Sequence, residues 1–374
     1  MRLKAERINL WAKGKKQGPV RIELHPTNKC NARCKFCWQI TNNSQDNSHE
    51  LSDERLLSII DEAYALGVKE WIISGGGEPL VRHEVTMKIL NKIKKCRMWG
   101  QLTTNGTLFN KEDIENLVDI GWDQVQFSID GPNPKIHDYL RGKKGIFEKA
   151  TRNFKLLSEY KKQKKSSLPF LGVNTILNRL NYNKLDKMIE LAHDIGSQLV
   201  YFEPLYPGYL SKERLELNEK EKKELPDHIK RAIKKAKELG ISTNVDRFLD
   251  TNLIDKTHFS DIVMNYSPNS KNKFISAPCY QPWYLMGIKA DGLSGCCSTF
   301  EDGEFVHNKS LKEIWFGRKF DNIRSNMLER KLPDYCRKCS VVVVVDNNEI
   351  RKRLMNVPQE VFTGFKEKLK KWIN

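Results

Sequence analysis

The sequence predicts an α/β fold built around a parallel sheet. Through the first two-thirds of the 374-residue chain, short strand-like segments alternate with amphipathic helical segments. The strand-like segments are residues 20–24, 70–74, 100–104, 124–130, 170–177 and 198–204. Strands that alternate with helices are joined by right-handed crossovers, so we expect an open barrel or a doubly wound sheet.

The helices between these strands carry clear start and stop signals. Ser52 caps the acidic-first segment "DERLLSIIDEAYALG", which ends at Gly67. Further helices are predicted near residues 82–95, 111–121, 146–162 and 183–196.

The alternation breaks after residue 205. We divide the chain into an N-terminal extension (1–19), the alternating core (20–205), a helical and irregular bridging region (206–277), a segment rich in Cys, Gly and aromatics (278–345) and a C-terminal helix (346–374). The bridging region contains a charged helix near 218–239 and a short strand at 241–245. The run "VVVVV" at 341–345 reads as a buried strand, and an amphipathic helix is expected at about 358–373.

Composition favours a cytoplasmic protein. No run approaches the roughly 18 apolar residues of a membrane span, and the basic N-terminus lacks the apolar stretch of a signal peptide. Nine cysteines in such a chain indicate metal binding rather than a disulfide scaffold.

The formal net charge is +17, from 64 Lys and Arg against 47 Asp and Glu. Much of this charge lies on segments predicted to be solvent-exposed helix faces, and no known nucleic-acid-binding module is visible. We therefore expect neither nucleic acid nor membrane as a partner. The excess of positive charge still favours an acidic or phosphorylated substrate.

Three cysteines, Cys30, Cys34 and Cys37, stand together in "HPTNKCNARCKFCWQ", directly after the first strand. A structural zinc site needs four protein ligands, which His25 could complete. An iron–sulfur cube is held by cysteine thiolates and can leave one iron open to another ligand.

The spacing Cys30-x3-Cys34-x2-Cys37, with Phe36 before the third cysteine, resembles the cluster loop of the radical S-adenosylmethionine (SAM) superfamily. The resemblance implies that the three cysteines hold a [4Fe-4S] cluster whose fourth iron binds the amine and carboxylate of SAM. Reductive cleavage of SAM would then give methionine and a 5′-deoxyadenosyl radical that abstracts a hydrogen atom. It also implies a partial (β/α)6 TIM-like barrel and a flavodoxin- or ferredoxin-type reductant.

Later strand ends carry further motifs of this family. In "GGGEP", the resemblance places Gly76 and Gly77 against the methionine end of SAM and Glu78 on its ammonium; a plain glycine turn is the alternative. The remaining candidates for SAM contacts are Asn105 in "TTNGT", Ser128 and Asp130 in "FSIDG", Arg141 in "HDYLRG" and Asn174 in "GVNTIL". For Arg141 an unrelated salt bridge is an open alternative.

A second cysteine group lies between residues 279 and 339. It resembles the shortened SPASM or "twitch" extension, a small α+β domain with one auxiliary [4Fe-4S] cluster, which Cys279, Cys297, Cys336 and Cys339 would hold. Zinc is the alternative.

Two cysteines have no place in these sets. Cys96 reads as a structural residue. Neighbouring side chains on a strand face opposite ways, so Cys296 should not share a cluster with Cys297. In radical SAM epimerases a cysteine thiol returns a hydrogen atom to the substrate radical, and Cys296 is our candidate for that role; a swapped ligand and a silent thiol stay open.

The reaction is predicted to be either epimerisation or dehydrogenation, with a lean to epimerisation because of Cys296. We expect a small-molecule substrate, a carbohydrate, aminocyclitol or sugar nucleotide, which could be phosphorylated or nucleotide-linked. The weaker candidates for substrate contact are His137, Glu203 and Tyr206. The alternatives are a radical SAM enzyme that modifies a ribosomal peptide and, more remotely, a non-enzymatic iron–sulfur or zinc protein that binds nucleic acid.

Overall fold

The computed structural model describes residues 1–41, 49–205, 214–249, 270–297, 300–339 and 341–355. They form two compact units. The first unit consists of the described residues of 1–23, 54–70 and 257–374, and the second of those of 24–53 and 71–256. Each unit therefore combines segments that are distant in sequence.

The second unit contains the predicted sheet, with strands in the order β2-β3-β4-β5-β6-β7. Strands β3 to β7 are parallel to one another, which confirms the predicted class of fold. The strands are β1 (Arg21–Leu24), β2 (Glu70–Ile73), β3 (Trp99–Thr104), β4 (Gln124–Ser128), β5 (Phe170–Leu177), β6 (Leu199–Pro204) and β7 (Ser242–Thr243). The end of β1 lies beside β2, because the Ser74 N–H donates to the Leu24 carbonyl at 3.2 Å.

Helices alternate with these strands along the chain: α2 (Trp38–Thr41), α3 (Asp53–Ala65), α4 (His83–Lys95), α5 (Lys111–Asp119), α6 (Pro134–Arg141), α7 (Ile146–Gln163), α8 (Leu185–Ile195) and α9 (Glu219–Leu239). Within the second unit, helix α7 packs on the sheet. Phe127 of β4 is fully buried and meets Phe154 of α7 edge-on, with 4.8 Å between ring centroids. Such aromatic contacts fix helix against sheet.

The first unit has a short antiparallel meander. Its strands are β8 (Leu285–Ile288), β9 (Leu293–Gly295) and β10 (Glu304–Phe305), with β9 in the middle. Outside the alternating core, the helices of this unit are α1 (Arg2–Ala12), α10 (Lys273–Ser276), α11 (Leu311–Trp315), α12 (Arg318–Leu328) and α13 (Val341–Met355). Helix α1 meets α13 through the buried Lys4, whose Nζ lies 3.6 Å from Asp346.

The valine run is not a strand, contrary to the sequence prediction. It opens α13, because side chains one turn apart on that helix bind the loop before β8. Asn347 accepts the Tyr280 N–H at 3.1 Å, and Arg351 donates to the Ala277 carbonyl at 2.9 Å. Valine is only slightly disfavoured in helices, by well under 1 kcal/mol per residue, so these tertiary contacts decide.

Two other expected elements differ or fall outside the structure. The strand expected at 241–245 is reduced to the two residues of β7, and the chain continues as a 3-10 helix, Val245–Leu249. The helix expected at 358–373 lies outside the described residues. None of the described helices has the length and apolar character needed to cross a membrane.

Candidate cofactor and cluster sites

The three cysteines of the first motif lie on the loop between β1 and α2. Cys34 is buried together with Ala32 and Ile146, and Cys30 and Cys37 pack against that small cluster. Burial raises the pKa of Cys34 to about 12 and raises that of Cys30 above its ordinary value. The thiols of Cys30 and Cys34 are therefore protonated at neutral pH without a metal, and binding of a metal cluster must release their protons.

The end of α6 holds this loop by its backbone. The Arg33 and Lys35 N–H groups donate to the carbonyls of Arg141 (3.0 Å) and Leu140 (2.8 Å). Gly142 follows with φ +64°, and a Cβ there would collide with the Arg33 carbonyl. Only glycine combines this left-handed backbone with so close an approach, so Gly142 shapes the cysteine loop.

The start of the loop is fixed by Glu50, which sequence reasoning missed. Its carboxylate accepts the Asn28 N–H at 2.7 Å and the Thr27 hydroxyl at 2.8 Å. Glu50 also lies 3.7 Å from the guanidinium of Arg82. No motif marks this residue, because its partners lie more than twenty positions away in the chain.

Gly76 and Gly77 pack against the same segment. A Cβ on Gly76 would collide with the Asn28 side chain, and one on Gly77 with the Lys29 carbonyl. The Gly77 N–H donates to the Thr27 carbonyl at 2.8 Å. The structure thus explains these glycines by close packing on the cysteine loop, and their expected approach to SAM stays a prediction.

Glu78 is buried, and its carboxylate joins the loop after β2 to the end of β3. It accepts the Asn105 N–H at 2.6 Å, the Thr104 hydroxyl at 2.7 Å and the Leu80 N–H at 3.2 Å. Burial raises its pKa, and these hydrogen bonds oppose the shift. Three of about four acceptor positions are used, which leaves room for one further donor.

Asp130 and Arg141, both expected to touch SAM, are paired with each other. Arg141 Nε lies 2.6 Å from Asp130 Oδ2, and Asp130 is fully buried. The other carboxylate oxygen accepts the Ile176 N–H at 2.8 Å. Burial opposes the charge of Arg141, but Asp130 and Cys34 outweigh it, so the pKa of Arg141 is raised.

Arg141 also links this pair to the cysteine loop. Its Nη1 lies 3.6 Å from the Cys34 sulfur, and its guanidinium lies 5.5 Å from the centre of the Phe36 ring. A cation beside a thiolate favours the deprotonated, metal-binding form. The structure therefore pairs Arg141 with another predicted site residue and places it against the cysteine loop, and its expected contact with SAM stays a prediction.

His137 contacts the backbone of Asp130 as a neutral imidazole. Its Nδ1 accepts the Asp130 N–H at 3.1 Å. Burial, and then the charge of Arg141, lower its pKa to about 3. With so low a pKa and with Nδ1 already occupied by the Asp130 N–H, His137 is a weak proton acceptor at neutral pH. Glu203 lies in β6, and Tyr206 lies outside the described residues.

Asn105 directly follows β3, Ser128 ends β4, and Asn174 lies within β5. Asn105 donates to the Asn31 side chain at 2.7 Å, so it too contacts the cysteine loop. Ser128 ends β4 and pairs in register with Asn174 of β5. The side-chain oxygen of Asn174 is buried without a hydrogen-bond partner among the described residues. An unpaired buried acceptor costs about 1–3 kcal/mol, so the site fits a ligand that brings a donor, as SAM would.

The second cysteine group forms one pocket in the first unit. All five cysteines line it: Cys279, Cys296, Cys297, Cys336 and Cys339. The rest of the wall includes the apolar Pro282, Met327 and Leu332. Burial raises the pKa of Cys279 to about 11, so this thiol needs a metal to ionise it at neutral pH.

Cys296 does not face away from this pocket, contrary to the argument from strand alternation. β9 ends at Gly295, and Cys296 and Cys297 follow it in a bend, where the two-residue period no longer holds. Cys296 is buried, and a hydrogen bond with Cys297, followed by burial, raises its pKa well above the ordinary value. Cys96 follows α4 at a distance in sequence from both groups.

Both cysteine groups fit [4Fe-4S] cubes, in which each thiolate binds one iron. Three cysteines gather on the first loop, and five line the second pocket. A tetrahedral zinc held by four thiolates is the alternative for the second pocket.

Comparison with known proteins agrees with both sites. The family model described as "Radical SAM superfamily" matches residues 24–192, and that described as "Iron-sulfur cluster-binding domain" (SPASM) matches residues 279–340. The first range contains Cys30, Cys34 and Cys37. The second contains all five cysteines of the pocket.

Curated relatives match the chain at different lengths. A PqqA peptide cyclase of Ruegeria pomeroyi is 25% identical over 333 residues, covering 87% of this chain and 80% of the relative. An AdoMet-dependent heme synthase of Methanosarcina barkeri is 33% identical over 179 residues, 48% of each chain. This chain thus spans about half the length of several curated relatives that it matches.

Among solved structures, Streptococcus suis SuiB bound to precursor peptide SuiA superposes with a TM-score of 0.64 at 16% identity. The match covers 85% of this chain and 69% of SuiB. This likeness establishes the fold, a partial TIM-like barrel with an added iron–sulfur domain.

Proposed function

The chain belongs to the radical SAM superfamily and carries a SPASM-type iron–sulfur domain, and from this premise we propose that it oxidatively modifies a peptide. The two domains imply SAM and [4Fe-4S] clusters, one for SAM cleavage and one auxiliary, as cofactors. The chain is accordingly a radical SAM enzyme. The substrate and the type of reaction are the proposal.

The observation that carries the peptide substrate is the match to the PqqA peptide cyclase, which runs through both domains rather than the SAM-binding half alone. A sporulation killing factor maturation protein and a mycofactocin maturase are further relatives, at 28% identity over 48% of this chain. These relatives support our alternative of a peptide substrate better than the carbohydrate, aminocyclitol or sugar nucleotide that we expected. The net charge of +17 favours a peptide with acidic residues.

Each cysteine group has an assigned role in this proposal. Cys30, Cys34 and Cys37 hold the cluster that binds SAM, and Cys279, Cys297, Cys336 and Cys339 hold the auxiliary cluster. When bound, SAM and its cluster supply the abstraction of a hydrogen atom from the substrate. The Arg141–Asp130 pair holds a positive charge at Cys34, and the buried oxygen of Asn174 would accept a hydrogen bond from bound SAM.

We favour net oxidation over epimerisation because of where Cys296 lies. A thiol that donates hydrogen to a substrate radical needs access to the substrate. Cys296 is instead buried in the pocket with the four proposed cluster ligands. Oxidation balances if the peptide loses one hydrogen atom to the SAM-derived group, one proton to solvent and one electron to the auxiliary cluster.

The test is a mass measurement in deuterated water. Anaerobically reconstituted enzyme, SAM and dithionite would be incubated with the PqqA peptide, a library of acidic peptides, UDP-sugars and aminocyclitols. A peptide product two mass units lighter supports the proposal. Turnover of a sugar or cyclitol but of no peptide refutes the substrate, and a product one unit heavier with carbon-bound deuterium refutes oxidation in favour of epimerisation. The Cys30→Ala/Cys34→Ala/Cys37→Ala variant is the inactive control.

A further inference from the structure

Arg324 of α12 is a buried cation in the first unit. Its side chain is 5% exposed and is enclosed by aromatic rings. The guanidinium lies 4.5 Å from the centres of the Trp11 and Trp315 rings and 5.5 Å from that of Phe320. Ring faces stabilise a cation without neutralising it.

The hydrogen bonds of Arg324 leave part of its charge uncompensated. Nε donates to the Pro282 carbonyl at 2.9 Å, and Nη1 donates to the Trp315 carbonyl at 2.8 Å and to Asp321 at 2.9 Å. Asp321 is shared, because Lys16 also binds it at 2.9 Å. Nη2 is buried and has no partner among the described residues. Burying a charge with an unpaired N–H costs desolvation free energy, so a role for Arg324 other than stabilising the fold is indicated.

This cation adjoins the cysteine pocket. Pro282, which Arg324 holds by its carbonyl, lines the pocket together with all five cysteines. Burial lowers the pKa of Arg324 to about 10, an effect partly offset by Asp321 and by the sulfur of Cys296. Arg324 is therefore charged at neutral pH and within electrostatic reach of the pocket sulfurs.

We propose that Arg324 is a positioning residue for electron transfer: a fixed positive charge that makes the auxiliary [4Fe-4S] cluster easier to reduce. One-electron reduction adds a negative charge to a group that four thiolates already make anionic. A nearby cation in a dry site stabilises that added charge. The inference rests on the auxiliary cluster of the proposed function, where the cluster accepts an electron from the substrate, but it does not depend on which substrate is used.

The experiment is an EPR-monitored redox titration of the auxiliary cluster alone. The full-length chain carrying Cys30→Ala/Cys34→Ala/Cys37→Ala serves as the parent and is titrated with dithionite against mediators. Arg324→Met in this background should lower the equilibrium constant for reduction at least tenfold, about 59 mV for one electron. Arg324→Lys should shift it less. Asp321→Asn removes the carboxylate that offsets Arg324, so the constant should rise.

Opposite shifts in Arg324→Met and Asp321→Asn cannot come from a common loss of packing. An unchanged potential in Arg324→Met, with about four irons per chain retained, would overturn the inference. So would shifts of the same sign in both variants. Should Arg324→Met fail to fold, the sign of the Asp321→Asn shift decides alone, since that variant keeps the buried cation.

The two proposals fail separately. A parent without iron overturns the auxiliary cluster and this inference together. If the reduction potential shifts as expected in Arg324→Met and Asp321→Asn but no peptide is turned over, the inference stands and only the proposed substrate is refuted.

Discussion

The Asp130–Arg141 pair offers the sharpest stability test of the cofactor site. Asp130→Asn keeps an acceptor for the Ile176 N–H but removes the negative charge beside Arg141. That carboxylate is fully buried and lies 2.6 Å from the Arg141 guanidinium. Breaking a buried ion pair by removing one partner typically costs 3–5 kcal/mol, so we expect a loss of about 4 kcal/mol in the free energy of unfolding.

The assay is urea unfolding of the reduced apoprotein, followed by tryptophan fluorescence, so that the energy measured belongs to the chain alone. Asp53→Asn is the matched control, because Asp53 pairs with Arg82 but is 51% exposed and should cost at most about 1 kcal/mol. Adding Arg141→Met to Asp130→Asn should recover most of the loss, since no uncompensated charge then remains. A loss below about 1 kcal/mol in Asp130→Asn would refute the argument that the pair is desolvated and tightly coupled.

Three further predictions concern the cysteine loop, the buried histidine and the second pocket. Gly142→Ala should reduce the iron bound at the first cysteine group, because the new Cβ collides with the Arg33 carbonyl. Gly145→Ala is the control. Its φ is +78° with open space around it, so it should cost only about 1–2 kcal/mol of backbone strain and keep the iron. Burial holds the pKa of His137 at about 3, against 6.5 for the ordinary side chain, so only the unfolded chain takes up this proton as pH falls below about 6.5. Stability should therefore decrease towards low pH by up to about 1.4 kcal/mol per pH unit from this group, and urea midpoints of His137→Gln should show a correspondingly weaker pH dependence. In the second pocket, Cys297→Ala should lose the auxiliary cluster while Cys296→Ala keeps it; iron analysis showing the reverse would exchange their roles.

Local sequence patterns were sufficient for the alternating core and for the spacing of the first cysteine loop. Strand and helix periodicity are properties of a few consecutive residues, and so is Cys30-x3-Cys34-x2-Cys37. The same reasoning failed at Val341–Val345, where contacts from Asn347 and Arg351 to a loop some seventy positions earlier override a strand-like composition. Local patterns carry no information about such partners.

The electrostatic features of both sites were equally invisible in the sequence. Asp130 and Arg141 each stand in a recognisable motif, but the spacing does not reveal that they neutralise each other. In the sequence Arg324 is one of 64 Lys and Arg residues, and only the fold brings the Trp11 and Trp315 rings to within 4.5 Å of its guanidinium. The expected direction of the Cys296 side chain was wrong because β9 ends at Gly295, one residue before it, so strand alternation no longer applies there.

The first unit is assembled from segments at the two ends of the chain, and this sets an order of folding events during synthesis. Trp315 donates to the Gln17 carbonyl across 298 positions, and the partners of α1 lie mostly in the last third of the chain. At about 5–20 residues per second, residues 1–23 leave the ribosome roughly 15–60 s before those partners exist. The second unit, which ends near residue 256, can fold in that interval. Trp11 and Ile8, fully covered in the finished protein, must meanwhile stay exposed or be shielded by a chaperone.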